Sequence, residues 1–125
     1  MAGDGSWRGR IRAFRYAFSG LRLGATEPNF RIQLTIGIAA LILAGILRVG
    51  SDDWLAIIVV SVVVLVTEMV NTAIEAVVDL ASPEYSATAK IAKDVAAGAV
   101  LLASIGAVVV GLYAFVPPLA RVLGI

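Results

Sequence analysis

Glu68, Asn71, Glu75 and Asp79 stand inside one apolar run, Trp54 to Asp79 (WLAIIVVSVVVLVTEMVNTAIEAVVD). Carboxylates are costly in hydrocarbon, and within a membrane helix they mark a site or a pairing. At about 100° per residue, Glu75 falls roughly 20° from Glu68, Asp79 roughly 20° to the other side and Asn71 about 60° away. The four form one stripe roughly 16 Å long, which should face protein or water. The chain has no histidine and no cysteine. That excludes imidazole, thiolate and disulfide chemistry and leaves carboxylates, lysine, tyrosine or a metal held by oxygen. Oxygen ligands suit a hard cation, Mg²⁺ with a bound phosphate chain. Lysines and arginines beside them suit anionic phosphate. A glutamate near the apolar phase suits taking a proton from an alcohol. These are the parts phosphoryl transfer needs, with a hydroxyl arriving from the lipid side.

Residue types alone keep other readings open. Intramembrane Glu or Asn can pair with another helix and specify assembly. An acidic stripe can also line an ion or proton path, although the outer half of this run, Ala56 to Val66, offers only Ser61 as a polar group. Glu27 before Pro28 can be a turn residue, Lys90 and Lys93 can be interfacial anchors, and Gly98 can serve close helix packing. Neither a Walker A pattern nor a kinase glycine-rich loop is present.

The elements that must hold these residues are membrane helices. Of 125 residues, 60% are hydrophobic and the mean hydropathy is +0.96, too apolar for a soluble domain of this size. Three segments are long enough to span: residues 29–49, 54–80 and 90–120, the last closed by Pro117-Pro118. Ser82-Pro83 marks a break, and Ser82 or Ser86 can cap the helix that follows. Residues 1–6 read as disordered. In residues 7–24, Trp7, Ile11, Phe14, Phe18 and Leu21 recur at helical spacing with arginines on the flanks, the pattern of an amphipathic helix lying in an anionic headgroup layer. A single domain over residues 1–125 is expected, with no cleaved leader and the first span acting as an anchor.

Arg8, Arg10, Arg12, Arg15, Arg22 and Arg31 precede the first span, so the N-terminus is expected on the cytoplasmic side and the C-terminus outside. Glu27, Glu75, Asp79, Lys90, Lys93 and Asp94 then converge at the cytoplasmic face, with Glu68 deepest. Three helices cannot hide both the stripe and the apolar spans, so a homo-oligomer is expected.

Two motifs carry a family resemblance. Residues 68–79 read EMVNTAIEAVVD and residues 89–100 read AKIAKDVAAGAV. With YAFSGLR at 16–22 and EPNFR at 27–31, they resemble the small bacterial lipid kinases, the diacylglycerol kinase and undecaprenol kinase family. The resemblance runs from about Arg12 to the end of the third span. It implies an all-α homotrimer with three transmembrane helices and an N-terminal surface helix per chain, and active sites shared between subunits. By motif, Glu68 is similar to the family's base on the lipid hydroxyl, and Glu27 and Glu75 resemble its metal-bridging carboxylates beside ATP. Tyr16, Asp79, Glu84, Tyr85, Ser86, Lys93 and Asp94 match positions near the nucleotide. Arg12 and Asn71 match positions on the lipid side. The implied activity is ATP- and Mg²⁺-dependent phosphorylation of a membrane lipid alcohol in the bacterial cytoplasmic membrane, with no nucleic-acid partner. The EPNFRIQ and AKIAKDVAAGAV segments resemble the undecaprenol branch more than the diacylglycerol branch, although that branch often has histidine where Gln33 stands.

Overall fold

The computed structural model describes residues 5–125 as four helices, and no strand occurs among them. Most of the expected disordered start, residues 1–4, lies outside the described residues. Ser6, expected to belong to it, instead caps α1 (Trp7–Gly24) by accepting a hydrogen bond from the Gly9 amide at 3.1 Å. The apolar row of α1 is open: Trp7, Phe14 and Phe18 are all exposed. Arg10 lies over the Trp7 ring at 5.5 Å.

A short turn joins α1 to α2 (Pro28–Leu47). Thr26 Oγ1 donates to the Leu23 carbonyl at 2.6 Å, and Arg31 Nε donates to the Ala25 carbonyl at 2.7 Å, closing the turn from both sides. Pro28 opens α2, where its missing N–H costs nothing and its fixed φ fits the helix. The far end of α2 is a Schellman cap: the Val49 amide bonds the Ala44 carbonyl and the Arg48 amide bonds the Gly45 carbonyl. Arg48 takes the left-handed position there, with φ 52°.

Helix α3 (Ser51–Ala81) begins with Asp52 and Asp53 in its first turn, which complements the helix dipole. Helix α4 (Ala87–Leu123) starts where the Ala89 amide bonds Ser86 Oγ. Of the two serines that could cap, Ser86 does so. Pro117 and Pro118 were expected to end this helix, yet it continues to Leu123 and closes on Gly124 at φ 72°. Proline's φ is itself helical, and the carbonyls a proline leaves free are tolerated in membrane helices.

Helices α2, α3 and α4 are each long and apolar enough to cross a membrane. They pack antiparallel in sequence order, α3 most extensively on α4. The buried cluster of Ala44, Ile57 and Ala114, with Trp54 and Phe115 against it, lies at the end remote from the stripe. Small residues set the approach of α2 to α3. A Cβ on Gly37 would meet Ser61 Cβ at 3.6 Å, and one on Gly45 would meet the Trp54 ring at 3.9 Å.

Candidate functional site

The local sequence of α3 explains the stripe's geometry. β-Branched and small residues fill its remaining faces, so the acids stay in helical register. Glu68 is the one charged side chain among the buried residues described, only 6% exposed. Ile57, Val64 and Glu68 are the buried positions of α3, and they fall on one row. Glu68 therefore points inward, against α2 and α4, rather than toward lipid.

One turn on, the arrangement becomes wet. Asn71 is half-buried and donates from Nδ2 to Glu75 Oε1 at 3.3 Å. Its Oδ1 is buried without a hydrogen-bond partner, an acceptor left open beside the acids. Glu75 and Asp79 are exposed. Lys93 Nζ donates to Asp79 Oδ1, tying the end of α3 to the start of α4. Lys90 and Asp94 form a second ion pair along α4. Both pairs are open to solvent, so each contributes little to stability. Their cost of exchange for another anion is correspondingly low.

The α1–α2 turn reaches the same level. A Cβ on Gly24 would meet Met69 Cγ at 3.3 Å, which seats the turn against the residue after Glu68. Glu27 follows three residues later, its amide bonded to the Gly24 carbonyl at 3.0 Å. It occupies the N-cap position of α2 without a side-chain cap bond, so its carboxylate is not consumed by the helix. Among the described residues, no group of three or more Asp, Glu, His or Cys side chains gathers as a ready metal cage. Glu27 and Glu75, the carboxylates expected to meet a metal, are both exposed. That set suits Mg²⁺, which keeps waters and shares phosphate oxygens rather than taking an all-protein cage.

Not every expected residue converges. Glu84 and Tyr85 stand exposed in the α3–α4 loop, Tyr85 at 84%, and Ser86 is engaged as the α4 cap. Ser82 Oγ donates to the Glu84 carbonyl and shapes that loop. Arg12 and Tyr16 lie on exposed α1 positions, and no hydrogen bond or ion pair joins them to the stripe. Sequence reasoning passed over Ser104 of α4, which lines a cavity with Gln33 and Ser61 next to Val64. The available signal was a serine in a span whose other hydroxyl is that of Tyr113.

The family model for prokaryotic diacylglycerol kinase matches residues 15–115. A diacylglycerol kinase from a Synechocystis strain is 45% identical over 109 residues, covering 86% of this chain but 62% of that protein, so the chain spans less than two thirds of it. The undecaprenol kinase of Bacillus subtilis is 33% identical over 110 residues, covering 87% of this chain and 89% of its own. The diacylglycerol kinase of Escherichia coli K12 is 36% identical over 100 residues, covering 79% and 82%. The chain belongs to the prokaryotic diacylglycerol kinase family, a family of lipid kinases.

Proposed function

We propose that this chain transfers the γ-phosphoryl group of ATP to the primary hydroxyl of a membrane lipid alcohol. The carrying observation is one buried carboxylate, Glu68, on the same helix face as the exposed Glu75 and Asp79. A lipid hydroxyl can meet Glu68 from the apolar side while a nucleotide meets Glu75 from water. The hydroxyl oxygen bonds to Pγ, the bond from Pγ to the bridging oxygen breaks, and ADP leaves with that electron pair. Glu68 takes the hydroxyl proton. Lys93, released from Asp79, supplies a positive charge to the phosphates. Glu27 and Glu75 would hold Mg²⁺, which when bound neutralises charge on the phosphate chain. Asn71 orients Glu75 through its amide.

The arginines before α2 support a cytoplasmic N-terminus in the bacterial cytoplasmic membrane, with the C-terminus outside. The family and the unhidden stripe support a homotrimer with sites shared between subunits, the context in which Arg12, Tyr16, Tyr85 and Asp94 would approach the nucleotide or the lipid. A conducting subunit is disfavoured, because the Glu68 row carries only Ser61 as a polar group toward the remote end.

Two acceptors are supported by different observations. The EPNFRIQ and AKIAKDVAAGAV segments favour undecaprenol, whereas the 45% identical relative bears the name diacylglycerol kinase. The test is transfer of labelled phosphate from ATP to undecaprenol and to diacylglycerol in mixed micelles. Transfer to neither overturns the proposal.

A further inference from the structure

The EPNFR run at 27–31 sets a cation beside a carboxylate with which it makes no ion pair. Glu27 and Arg31 stand four residues apart, glutamate first, the order and spacing in which such residues pair well along a helix. Yet the ion pairs among the described residues are Lys90–Asp94 and Lys93–Asp79 alone. Arg31 instead turns back to α1, where its Nε donates to the Ala25 carbonyl at 2.7 Å. Ala25 is the C-cap of α1, so this carbonyl is one that the helix leaves without an internal partner. The helix dipole also favours a cation there.

The backbone of Arg31 is fixed as well. Its amide donates to the Glu27 carbonyl at 3.1 Å, and its carbonyl accepts from Thr35 Oγ1 at 2.8 Å. Phe30 beside it is buried and holds the first turn of α2 to the bundle, while Arg31 itself is exposed. The turn from Gly24 to Glu27 is thus held twice: Gly24 seats on Met69, and Arg31 grips Ala25. The Glu27 carboxylate makes no cap bond and joins no ion pair among the described residues. A carboxylate that is to meet a metal gains affinity when its backbone is held in place and its charge is not already neutralised. One side chain, Arg31, supplies both conditions.

Resting on the metal role proposed for Glu27, we propose that Arg31 is a positioning residue for the metal and nucleotide end of the reaction. It acts through the Ala25 carbonyl that its Nε holds, and its engagement there leaves the Glu27 carboxylate open. What the site needs from position 31 is a donor at that atom rather than a positive charge. A basic residue that only anchors the cytoplasmic end of a span, or only attracts phosphate, would depend on charge instead.

The test exploits side-chain length. Glutamine carries its Nε2 donor as many bonds from the backbone as arginine carries Nε, without the charge. Methionine reaches equally far with no donor, and lysine keeps the charge with a carbon at that place. The full-length protein in detergent is titrated with the Mn²⁺ complex of a non-hydrolysable ATP analogue, read by water-proton relaxation, alongside the Mg²⁺ dependence of phosphate transfer. Arg31→Met should weaken binding of the complex about fivefold, the scale of one hydrogen bond, and Arg31→Gln should restore it to within about twofold of the parent. Arg31→Lys should resemble Arg31→Met. Equal weakening by Gln and Met overturns the inference, as does parent-like binding with Lys and loss with Gln, because charge is then what matters. Parent-like binding in all three variants overturns it too. If Arg31→Met does not assemble, the comparison of Gln with Lys decides alone. Unaltered binding in Glu27→Gln removes the metal role of Glu27 and this inference with it. No transfer to any lipid alcohol by the parent protein overturns the kinase reading, while the binding titration still decides the role of Arg31.

Discussion

Met69 packs over Gly24, close enough that a Cβ at position 24 would sit 3.3 Å from Met69 Cγ. This contact couples the α1–α2 turn, and with it Glu27, to the helix that carries Glu68. Gly24→Val should displace the turn and lower turnover at least tenfold, since small misplacements of catalytic groups are expensive. Gly20 has open space around it, so Gly20→Ala should keep turnover and favour α1 by up to about 1 kcal/mol. Phosphate transfer and helical content of the two variants check this pair.

Glu68→Gln keeps the shape and removes the base. Turnover should fall by on the order of 10² to 10⁴, with the ATP KM nearly unchanged. Steady-state rates at saturating lipid give the answer, and retained turnover would exclude Glu68 as proton acceptor.

Glu75→Ala should behave differently, because the loss falls on nucleotide and metal. The Mg²⁺ concentration needed for half-maximal rate should rise at least tenfold, on the scale of one lost ligand or its support. Mg²⁺ titration of activity measures it. An unaltered titration would remove Glu75 from the metal role.

Lys93→Ala should raise the ATP KM by about tenfold or more, the scale of one lost charged hydrogen bond. The Lys93–Asp79 pair is largely exposed, so thermal stability in detergent should hardly move. A large stability loss with an unchanged KM would mean that the pair only closes the loop.

Arg48 holds a left-handed cap at φ 52° that glycine takes without strain. Arg48→Gly should stabilise the protein by up to about 1 kcal/mol, the relief of the left-handed cap outweighing the backbone entropy added to the unfolded chain, and leave turnover unchanged. Thermal unfolding in detergent reports the shift.

The helices and the stripe were legible in the sequence, and the packing was not. The acids at 68, 75 and 79 stand out because charge in hydrocarbon is rare, and their spacing alone sets their common face. Pro83 and Ser86 announce the break and the new helix through turn and cap chemistry. The hydrocarbon faces carry no such label. Lipid is as apolar as a core, so periodicity cannot tell which side of α2 or α4 turns inward, and Ser104 looked incidental until α4 was set against α3. Pro117-Pro118 misled because a stop signal learned in water is weaker where the chain gains by remaining helical. The resting engagement of Lys93 by Asp79 depends on the hairpin bringing residues 14 apart together, which no local pattern encodes.

The burial of Glu68 bears on a competition inherent to any kinase, in which water is the most abundant rival acceptor. Glu68 is only 6% exposed and buried Phe30 falls at its level in the α2–α3 register, so little bulk solvent reaches the carboxylate. On the proposed mechanism, a water molecule reaching the phosphate would find its proton acceptor buried rather than free in solvent. Wasteful ATP hydrolysis would then be held back by where that acceptor lies.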